Sequence, residues 1–181
     1  MGCHGDVFYD EREGVNLERN SEYTAEMVAI DCSKILENLW LGSYPQSPED
    51  VLHLKKQGVT AILNLQSDDD FSQRGIRWDL FWAFYVRQGL SVERVPIVDF
   101  EPDDLRRHLA QAVASLQRLI DAGHCVYVHC TAGLNRSPTT VIAWLMQTRS
   151  LGMEEAVSFV SARREVVPYP EVLSWWEQKN R

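Results

Sequence analysis

One segment restricts the fold of this chain more than any other: a short apolar run over residues 125–129, a loop that contains a glycine, and an apolar stretch over residues 137–147. The first run has the length of a buried central strand, whereas the second is long enough for a helix. A strand and a helix joined by so short a loop are typical of a layered fold in which helices cover a sheet. We therefore expect the loop to lie at the edge of the sheet where the strand ends.

Strand-like and helix-like patterns alternate along most of the chain. Strands are predicted as a hairpin within residues 30–42 and as single strands over residues 59–65, 92–98 and 125–129. Helices are predicted over residues 47–57, 78–88, 105–120, 137–147, 153–164 and 170–179. This alternation predicts an α/β fold with a central, mostly parallel, twisted sheet flanked by helices. We expect one domain over residues 29–181, preceded by a polar segment, residues 1–28, that forms a mobile arm or an edge segment.

The composition argues against several classes of function. The net charge of -8 disfavours binding to nucleic acids or anionic membranes, because such binding depends on Lys and Arg. No apolar run is long enough to span a membrane, and the cysteines have neither a metal-ligand spacing nor the density of a disulfide scaffold. We therefore expect a cytoplasmic monomer that uses no metal or cofactor. The cysteines are Cys3, Cys32, Cys125 and Cys130.

The loop over residues 130–136 has the composition of a phosphate-binding cradle. Its backbone N–H groups can surround phosphate oxygens, Gly133 permits a close approach, and Asn135 tolerates a positive φ. We expect Ser137 and Pro138 to open the next helix, whose positive end then points at the same place. The predicted substrate-binding residues are Thr131, Ala132, Gly133, Leu134, Asn135 and Arg136.

Two side chains of this loop suit an attack on a phosphate ester. Cys130 is the predicted nucleophile, because a position before a helix N-terminus and beside an arginine favours the reactive thiolate. Arg136 carries a planar guanidinium that can bind two phosphate oxygens at once, which a lysine cannot do. His129 either orients the loop through a hydrogen bond or is a core histidine. Ser137 either donates a hydrogen bond to the thiolate or caps the helix.

The motif over residues 129–137, His-Cys-Thr-Ala-Gly-Leu-Asn-Arg-Ser, resembles the signature of the dual-specificity branch of the protein tyrosine phosphatases. The resemblance implies a phosphotyrosine phosphatase-like fold, a phosphocysteine intermediate, and an aspartate on a separate loop that acts as general acid and then as general base. The aspartate at the corresponding place is Asp99, with Phe100 beside it as a supporting residue. The alternative is that this acidic loop only caps the next helix, a role that suits Asp103 and Asp104 better.

Several further stretches resemble plant glucan phosphatases, a dual-specificity subgroup that dephosphorylates starch. They are residues 47–51, 64–68, 99–100 with 104–106, and 130–133. The chain departs from that subgroup in Asn-Arg-Ser-Pro, residues 135–138, where those enzymes carry Gly-Arg-Ala-Pro. The implied partner is therefore a phosphoprotein substrate or, as the alternative, a phosphoglucan. The candidate aromatic residues, which either stack on a substrate or pack in the core, are Trp78, Trp82, Phe84 and Tyr85.

Two hypotheses of other classes stay open at this point. One is a module that binds phosphorylated partners without hydrolysing them, although such a module needs neither a thiol nor a nearby acid. The other is arsenate or sulfur chemistry, which calls on further cysteines. Cys125 is the one cysteine close in sequence to Cys130, but a separation of five residues along one strand places the two on opposite faces.

Overall fold

The structure, a computed structural model, describes residues 30–180. The predicted N-terminal segment, residues 1–28, lies outside the described residues. The strands are β1 (Cys32–Leu36), β2 (Leu39–Gly42), β3 (Ala61–Gln66), β4 (Ser91–Ile97) and β5 (Val126–His129). The helices are α1 (Pro48–Lys56), α2 (Asp68–Arg74), α3 (Trp78–Arg87), α4 (Pro102–Asp121), α5 (Arg136–Arg149), α6 (Met153–Ser161) and α7 (Pro170–Lys179).

The sheet has the strand order β1-β2-β5-β3-β4. β1 runs antiparallel to β2, whereas the pairs β2 with β5, β5 with β3, and β3 with β4 are parallel. The predicted α/β fold with a mostly parallel sheet is therefore confirmed. β5 occupies the middle of the sheet, so the loop that follows it lies beyond the carboxyl ends of the parallel strands, where ligands of such sheets bind.

Both faces of the sheet are covered by helices. Leu63 and Val128 pack in a core that they share with side chains of α4, α5, α6 and α7. Ile62 and Tyr127, one position earlier on the same strands, pack in a second core with α1 and α3. This division follows from the two-residue period of a strand. Truncation of such a buried leucine to alanine lowers the free energy of unfolding by roughly 2–5 kcal/mol. The well-packed sheet therefore holds the loop at its edge in a fixed position.

Two helices begin with reciprocal capping boxes. In α1, the Ser47 side chain accepts from the Asp50 N–H and the Asp50 carboxylate accepts from the Ser47 N–H. In α2, Ser67 and Asp70 make the same pair of bonds. Helix α1 was predicted, but α2 was not, because its sequence is short and strongly acidic and lacks an apolar stripe.

Other predicted boundaries differ from the structure by a few residues. β5 begins at Val126 rather than at Cys125, and α6 ends at Ser161 rather than near Arg164. The end of α6 matters for the site, because the chain that follows it turns back toward the loop after β5. No helix within residues 30–180 has the length and apolar character that crossing a membrane requires.

Candidate active site

The carbonyl oxygens of residues 130–135 all point away from the interior of the loop. Each accepts a hydrogen bond from a group outside the loop. The donors, in loop order, are His129 Nδ1, Tyr44 N, Arg164 Nη2, Arg164 Nε, Val167 N and Thr139 N. Because the N–H and C=O of a trans peptide point in opposite directions, this arrangement turns the N–H groups of the loop inward. The result is a cradle of amide donors that suits an oxyanion.

Gly133 gives the cradle its tight curvature. Its φ is +71°, and a Cβ at this position would lie 2.3 Å from the carbonyl carbon of Gly42. The prediction for Gly133 is thus supported by both conformation and space, whereas Asn135 does not use the positive φ that it could tolerate, since its φ is -118°. The Asn135 side chain instead donates to the Val167 carbonyl at 2.8 Å, which ties the loop to the segment before α7.

Cys130 lies at the start of the cradle and is 2% exposed. The Ser137 hydroxyl donates to Cys130 Sγ at 3.3 Å, which is the first of the two roles predicted for Ser137. Helix α5 begins at Arg136, so the prediction that Ser137 and Pro138 open it is wrong by one to two positions. The Asn135 carbonyl accepts the first bond of the helix, from the Thr139 N–H at 3.0 Å, and the first turn of the helix contacts the sulfur through Ser137.

Arg136 is fully buried and binds both protein carboxylates of the site. Its Nη1 lies 2.7 Å from Asp70 Oδ2 and 2.8 Å from the Ile97 carbonyl. Its Nη2 lies 3.1 Å from Asp70 Oδ1 and 2.9 Å from Asp99 Oδ2. The Nε atom is also buried but has no acceptor within residues 30–180. A buried N–H of this kind is costly, and it gives the guanidinium a donor that an oxyanion in the cradle could use.

Asp99 reaches the site from the loop between β4 and α4, as the sequence predicts. Its side chain is 29% exposed, so it contacts both Arg136 and solvent. Its Oδ1 accepts from the N–H of Phe100 at 3.1 Å. Phe100 has a φ of +58° and its side chain is 77% exposed. Positive φ is uncommon for a bulky residue and is found at functional sites, and Phe100 combines it with an exposed position directly after the acid.

Asp104, rather than Asp99, ties this loop to the next helix. Its carboxylate accepts from the Val98 N–H at 2.8 Å and from Arg107 at 2.8 Å. Burial raises the pKa of Asp104, but these hydrogen bonds outweigh it and hold that pKa below its usual range. The alternative that Asp99 serves only the helix is therefore not favoured by the geometry.

Asp70 is a site residue that the sequence did not reveal. Besides Arg136, it accepts from the Thr131 hydroxyl at 2.6 Å and from the Ser67 hydroxyl at 2.8 Å. Burial alone raises its pKa, but the hydrogen bonds from Arg136 and Thr131 outweigh that effect and hold the pKa well below its usual range. The capping-box spacing of Ser67 and Asp70 was the one local signal, and it points to a helix rather than to a partner 66 residues away.

His129 makes the hydrogen bond that its predicted orienting role requires, and it also has the buried position of a core histidine. Its Nδ1 donates to the Cys130 carbonyl at 3.0 Å, an assignment that makes Nε2 the unprotonated nitrogen. Nε2 is buried and has no partner among the described residues. Burial lowers the pKa of His129 to about 4, with a further decrease from the positive charge of Arg136, against the opposing effect of the bond to the Cys130 carbonyl. The ring is therefore neutral at physiological pH.

Arg164 is a second residue that the sequence did not reveal. Its side chain is 4% exposed and donates to the carbonyls of Gly133 at 3.1 Å and Ala132 at 3.3 Å. Two further bonds, each 2.7 Å long, join it to Asp31. This arginine lies after α6, where periodicity gives no sign of its partners. It holds two consecutive peptide units of the cradle.

A groove of about 300 Å³ lies between Tyr44, which follows β2, and helix α3, and its lining includes no residue of the loop itself. It is lined by apolar and basic side chains that include Tyr44, Arg74, Ile76, Leu80, Phe81 and Phe84. Tyr44 links it to the cradle, since its N–H donates to the Thr131 carbonyl at 3.0 Å. Of the aromatic candidates, Phe84 lines this groove, whereas Tyr85 packs in the core and Trp82 is half exposed.

Two other features bear on the chemistry. Cys125 is half-buried at the edge of the second core, whereas Cys130 belongs to the first, so the two cysteines lie on opposite sides of the sheet, as predicted. Within residues 30–180 no group of three or more His, Cys, Asp or Glu side chains could hold a metal ion.

The profile described as "Dual specificity phosphatase, catalytic domain" matches residues 39–178. The chain belongs to the dual specificity phosphatase family. This confirms the resemblance of the motif over residues 129–137 to that branch. The matched residues thus form a cysteine-dependent phosphatase domain.

The curated relatives include both protein and glucan phosphatases. Laforin of Mus musculus is 35% identical over 150 residues, which cover 77% of this chain and 46% of that protein. "Phosphoglucan phosphatase LSF1, chloroplastic" of Arabidopsis thaliana is 34% identical over 143 residues, 79% of this chain and 24% of that protein. "Dual specificity protein phosphatase 1" of Mus musculus is 31% identical over 135 residues, 74% of this chain and 33% of that protein. The chain thus matches less than half the length of these relatives.

The solved structures agree with the fold. The active form of Tk-PTP has a TM-score of 0.68 at 24% identity and covers 82% of this chain and 97% of its own. The human tyrosine phosphatase-like serine/threonine/tyrosine-interacting protein has a TM-score of 0.64 at 22% identity and covers 82% of this chain and 95% of its own. These similarities confirm a phosphatase-type α/β fold.

Proposed function

We propose that this dual specificity phosphatase domain hydrolyses phosphate monoesters with Cys130 as the nucleophile, Arg136 as the phosphate ligand and Asp99 as the general acid. The observation that carries the proposal is the single cluster that these three residues form around the loop after β5. Cys130 accepts from Ser137 at 3.3 Å, and Arg136 Nη2 lies 2.9 Å from Asp99. A nucleophile, a guanidinium and a carboxyl group at one cradle are the parts that phosphate transfer requires.

In the first step, Cys130 Sγ forms a bond to phosphorus while the bond from phosphorus to the ester oxygen breaks. Asp99 gives its proton to that departing oxygen. The inward N–H groups of residues 131–136 and the Nε of Arg136 bind the three other phosphate oxygens as their charge changes. Gly133 and the neighbouring Thr131, Ala132, Leu134 and Asn135 contribute through the backbone, so their side chains are free to serve other contacts.

In the second step, water replaces the sulfur. Asp99, now a carboxylate, takes a proton from the water while the water oxygen attacks phosphorus. The sulfur leaves as a thiolate, which the hydroxyl of Ser137 stabilises through its hydrogen bond. His129 keeps the Cys130 carbonyl turned outward during both steps. Free phosphate and the starting form of the enzyme result.

The proposed substrates are phosphotyrosine, phosphoserine and phosphothreonine in proteins. A phosphoglucan is the second candidate, and two observations favour it. One relative carries "phosphoglucan phosphatase" in its name, and the groove that Tyr44 lines together with α3 is lined by aromatic rings, such as Phe81 and Phe84, against which sugar rings pack well. We further propose that the protein acts as a cytoplasmic monomer, which cell fractionation and size-exclusion chromatography would test.

The first experiment measures hydrolysis of p-nitrophenyl phosphate in the presence of a metal chelator. We expect the parent chain to be active and Cys130→Ser to lose at least roughly a thousandfold in kcat. Cys125→Ser is the matched control, since it makes the same chemical change on the other side of the sheet, and it should keep its activity. Turnover by Cys130→Ser would overturn the proposal, and tight binding of phosphate esters without turnover would favour a binding module.

A second assay distinguishes the substrates. Phosphopeptides and phosphorylated amylopectin are offered in parallel to the parent chain and to Phe84→Ala. Preference for amylopectin, lost selectively in Phe84→Ala, would support the glucan. Preference for phosphopeptides would support the protein substrate.

A further inference from the structure

The guanidinium of Arg136 is shared by two carboxylates. Its Nη2 lies 2.9 Å from Asp99 Oδ2 and 3.1 Å from Asp70 Oδ1. Its Nη1 binds Asp70 a second time, at 2.7 Å. Asp70 thus binds the guanidinium through both carboxylate oxygens, whereas Asp99 contacts it through one.

The two carboxylates differ strongly in their surroundings. The side chain of Asp70 is 7% exposed and that of Asp99 is 29% exposed. Asp70 also accepts from the hydroxyls of Thr131 and Ser67 and from the N–H of Ser67. A buried carboxylate with this many donors is held as an anion in a fixed position. The low pKa of Asp70 agrees with that geometry. Asp99 lies on a loop with solvent on one side.

This difference matters because Asp99 must carry a proton to the leaving oxygen. A guanidinium without another counter-ion would bind a carboxyl group 2.9 Å away as its own ion-pair partner. Asp70 supplies such a counter-ion. Its second effect is geometric: it fixes the guanidinium plane, together with the bond from Nη1 to the Ile97 carbonyl, and keeps the Nε edge without a protein acceptor.

We propose that Asp70 is a positioning residue that holds the guanidinium of Arg136 and compensates its charge, so that Asp99 can carry the proton needed by the leaving group. The inference rests on the proposed function and adds to it a carboxylate that touches neither substrate nor the reacting atoms. Asp70 acts through Arg136 on Asp99 and through Thr131 on the shape of the cradle. It does not itself give or take a proton in the reaction.

The test compares two esters that share a ring but differ in leaving group. p-Nitrophenyl phosphate has a good leaving group that needs little protonation, whereas phenyl phosphate depends on the general acid. In Asp70→Asn we expect kcat for phenyl phosphate to fall about tenfold more than kcat for p-nitrophenyl phosphate. A merely structural role of Asp70 would slow both esters by the same factor, and that result would overturn the inference.

The same pair of esters is then measured in the Asp99→Asn background. If Asp70 acts through Asp99, adding Asp70→Asn to Asp99→Asn changes the ratio of the two rates by less than about twofold. A tenfold change of the ratio that persists without Asp99 would contradict the inference. Single-turnover conditions with excess enzyme keep the slow reactions measurable.

Two variants complete the design. Asp70→Glu keeps the charge, so we expect it to retain the parent ratio of the two rates even where both rates fall. If Asp70→Asn does not fold, Asp70→Glu provides the test. A ratio of the two rates in Asp70→Glu that shifts toward the ratio expected for Asp70→Asn would overturn the inference. Asp68→Asn is the matched control. It lies on the same helix, is 86% exposed and binds Arg94 on the surface, and it should change neither rate by more than about twofold.

These outcomes separate the inference from the proposed function. If the parent chain hydrolyses both esters and Cys130→Ser hydrolyses neither, the function stands whatever Asp70 does. If the parent chain hydrolyses neither ester, the function itself fails.

Discussion

Gly133 and Gly42 meet backbone to backbone where the cradle touches strand β2. A Cβ on Gly133 would lie 2.3 Å from both the carbon and the oxygen of the Gly42 carbonyl, and the φ of Gly133 is +71°. Two independent restrictions, on conformation and on space, therefore apply to the same residue. Any side chain here must displace the loop or the strand.

Gly133→Ala should accordingly remove activity by misplacing the amide donors of the cradle. A displacement of about 1 Å costs roughly a hundredfold in rate, and we expect at least that loss in kcat/KM for p-nitrophenyl phosphate. Gly75→Ala is the control, since Gly75 has a φ of +64° but nothing lies within 4 Å of an added Cβ. It should lower the free energy of unfolding by about 1 kcal/mol and leave kcat/KM unchanged. Equal activity of the two variants would contradict the account of Gly133.

Arg164 should affect the affinity of the cradle for oxyanions. Arg164→Gln removes the bonds to the carbonyls of Ala132 and Gly133, so the inward N–H groups lose their fixed direction. We expect the inhibition constant of inorganic phosphate to rise about tenfold. Arg163→Gln makes the same change of charge one residue earlier, where the guanidinium binds the Phe159 carbonyl instead, and it should leave that constant unchanged. If both variants shifted it equally, the effect would be one of net charge.

His129 should make the stability depend on pH. Its pKa is lowered to about 4 from the usual histidine value of 6.5, so between these two values the unfolded chain binds a proton that the folded chain does not. Stability is then fully present above pH 6.5 and falls as the pH is lowered toward 4. The decrease amounts to roughly 3 kcal/mol.

Urea denaturation at several pH values between 7 and 4.5 measures this slope. Carboxylates with a lowered pKa, such as Asp70 and Asp104, also contribute to the free energy of unfolding. They lose that contribution only as the pH falls below their unfolded pKa values near 4. In the upper part of the measured pH range the slope therefore comes from His129. His129→Asn keeps a side-chain N–H that can reach the Cys130 carbonyl but cannot titrate. It should be less stable at pH 7 and lack the slope. An identical slope in both chains would contradict the assignment.

The fold was largely predictable because strands and helices alternate with clear periods. The patterns over residues 59–65 and 92–98 gave β3 and β4, and the helical spacing of the long segment before Gly123 gave α4. Helix α2 was not predicted, because its acidic sequence has no apolar stripe, although the capping box of Ser67 and Asp70 marks its start. Local signals of this kind are weaker than periodicity, and they define a helix start rather than a function.

The site was predictable only where its residues are close in sequence or belong to a motif. The residues from His129 to Ser137 form one segment, and the resemblance of that segment led to Asp99. Asp70 and Arg164 contact the cradle from 66 and 31 residues away, and no period or spacing predicts an ion pair between distant segments. The role of Asn135 was not predictable for a related reason. Its side chain binds the distant Val167 carbonyl rather than shaping a turn.

The most direct test of the account is to look for phosphate on Cys130 during turnover. The parent chain is mixed with p-nitrophenyl phosphate, quenched with acid within the first turnover, digested and analysed by mass spectrometry. We predict that the peptide containing Cys130 gains the mass of one phosphoryl group, and that the corresponding peptide of Cys130→Ser does not. Turnover without phosphate on that peptide, or with phosphate on another residue, would contradict Cys130 as the nucleophile.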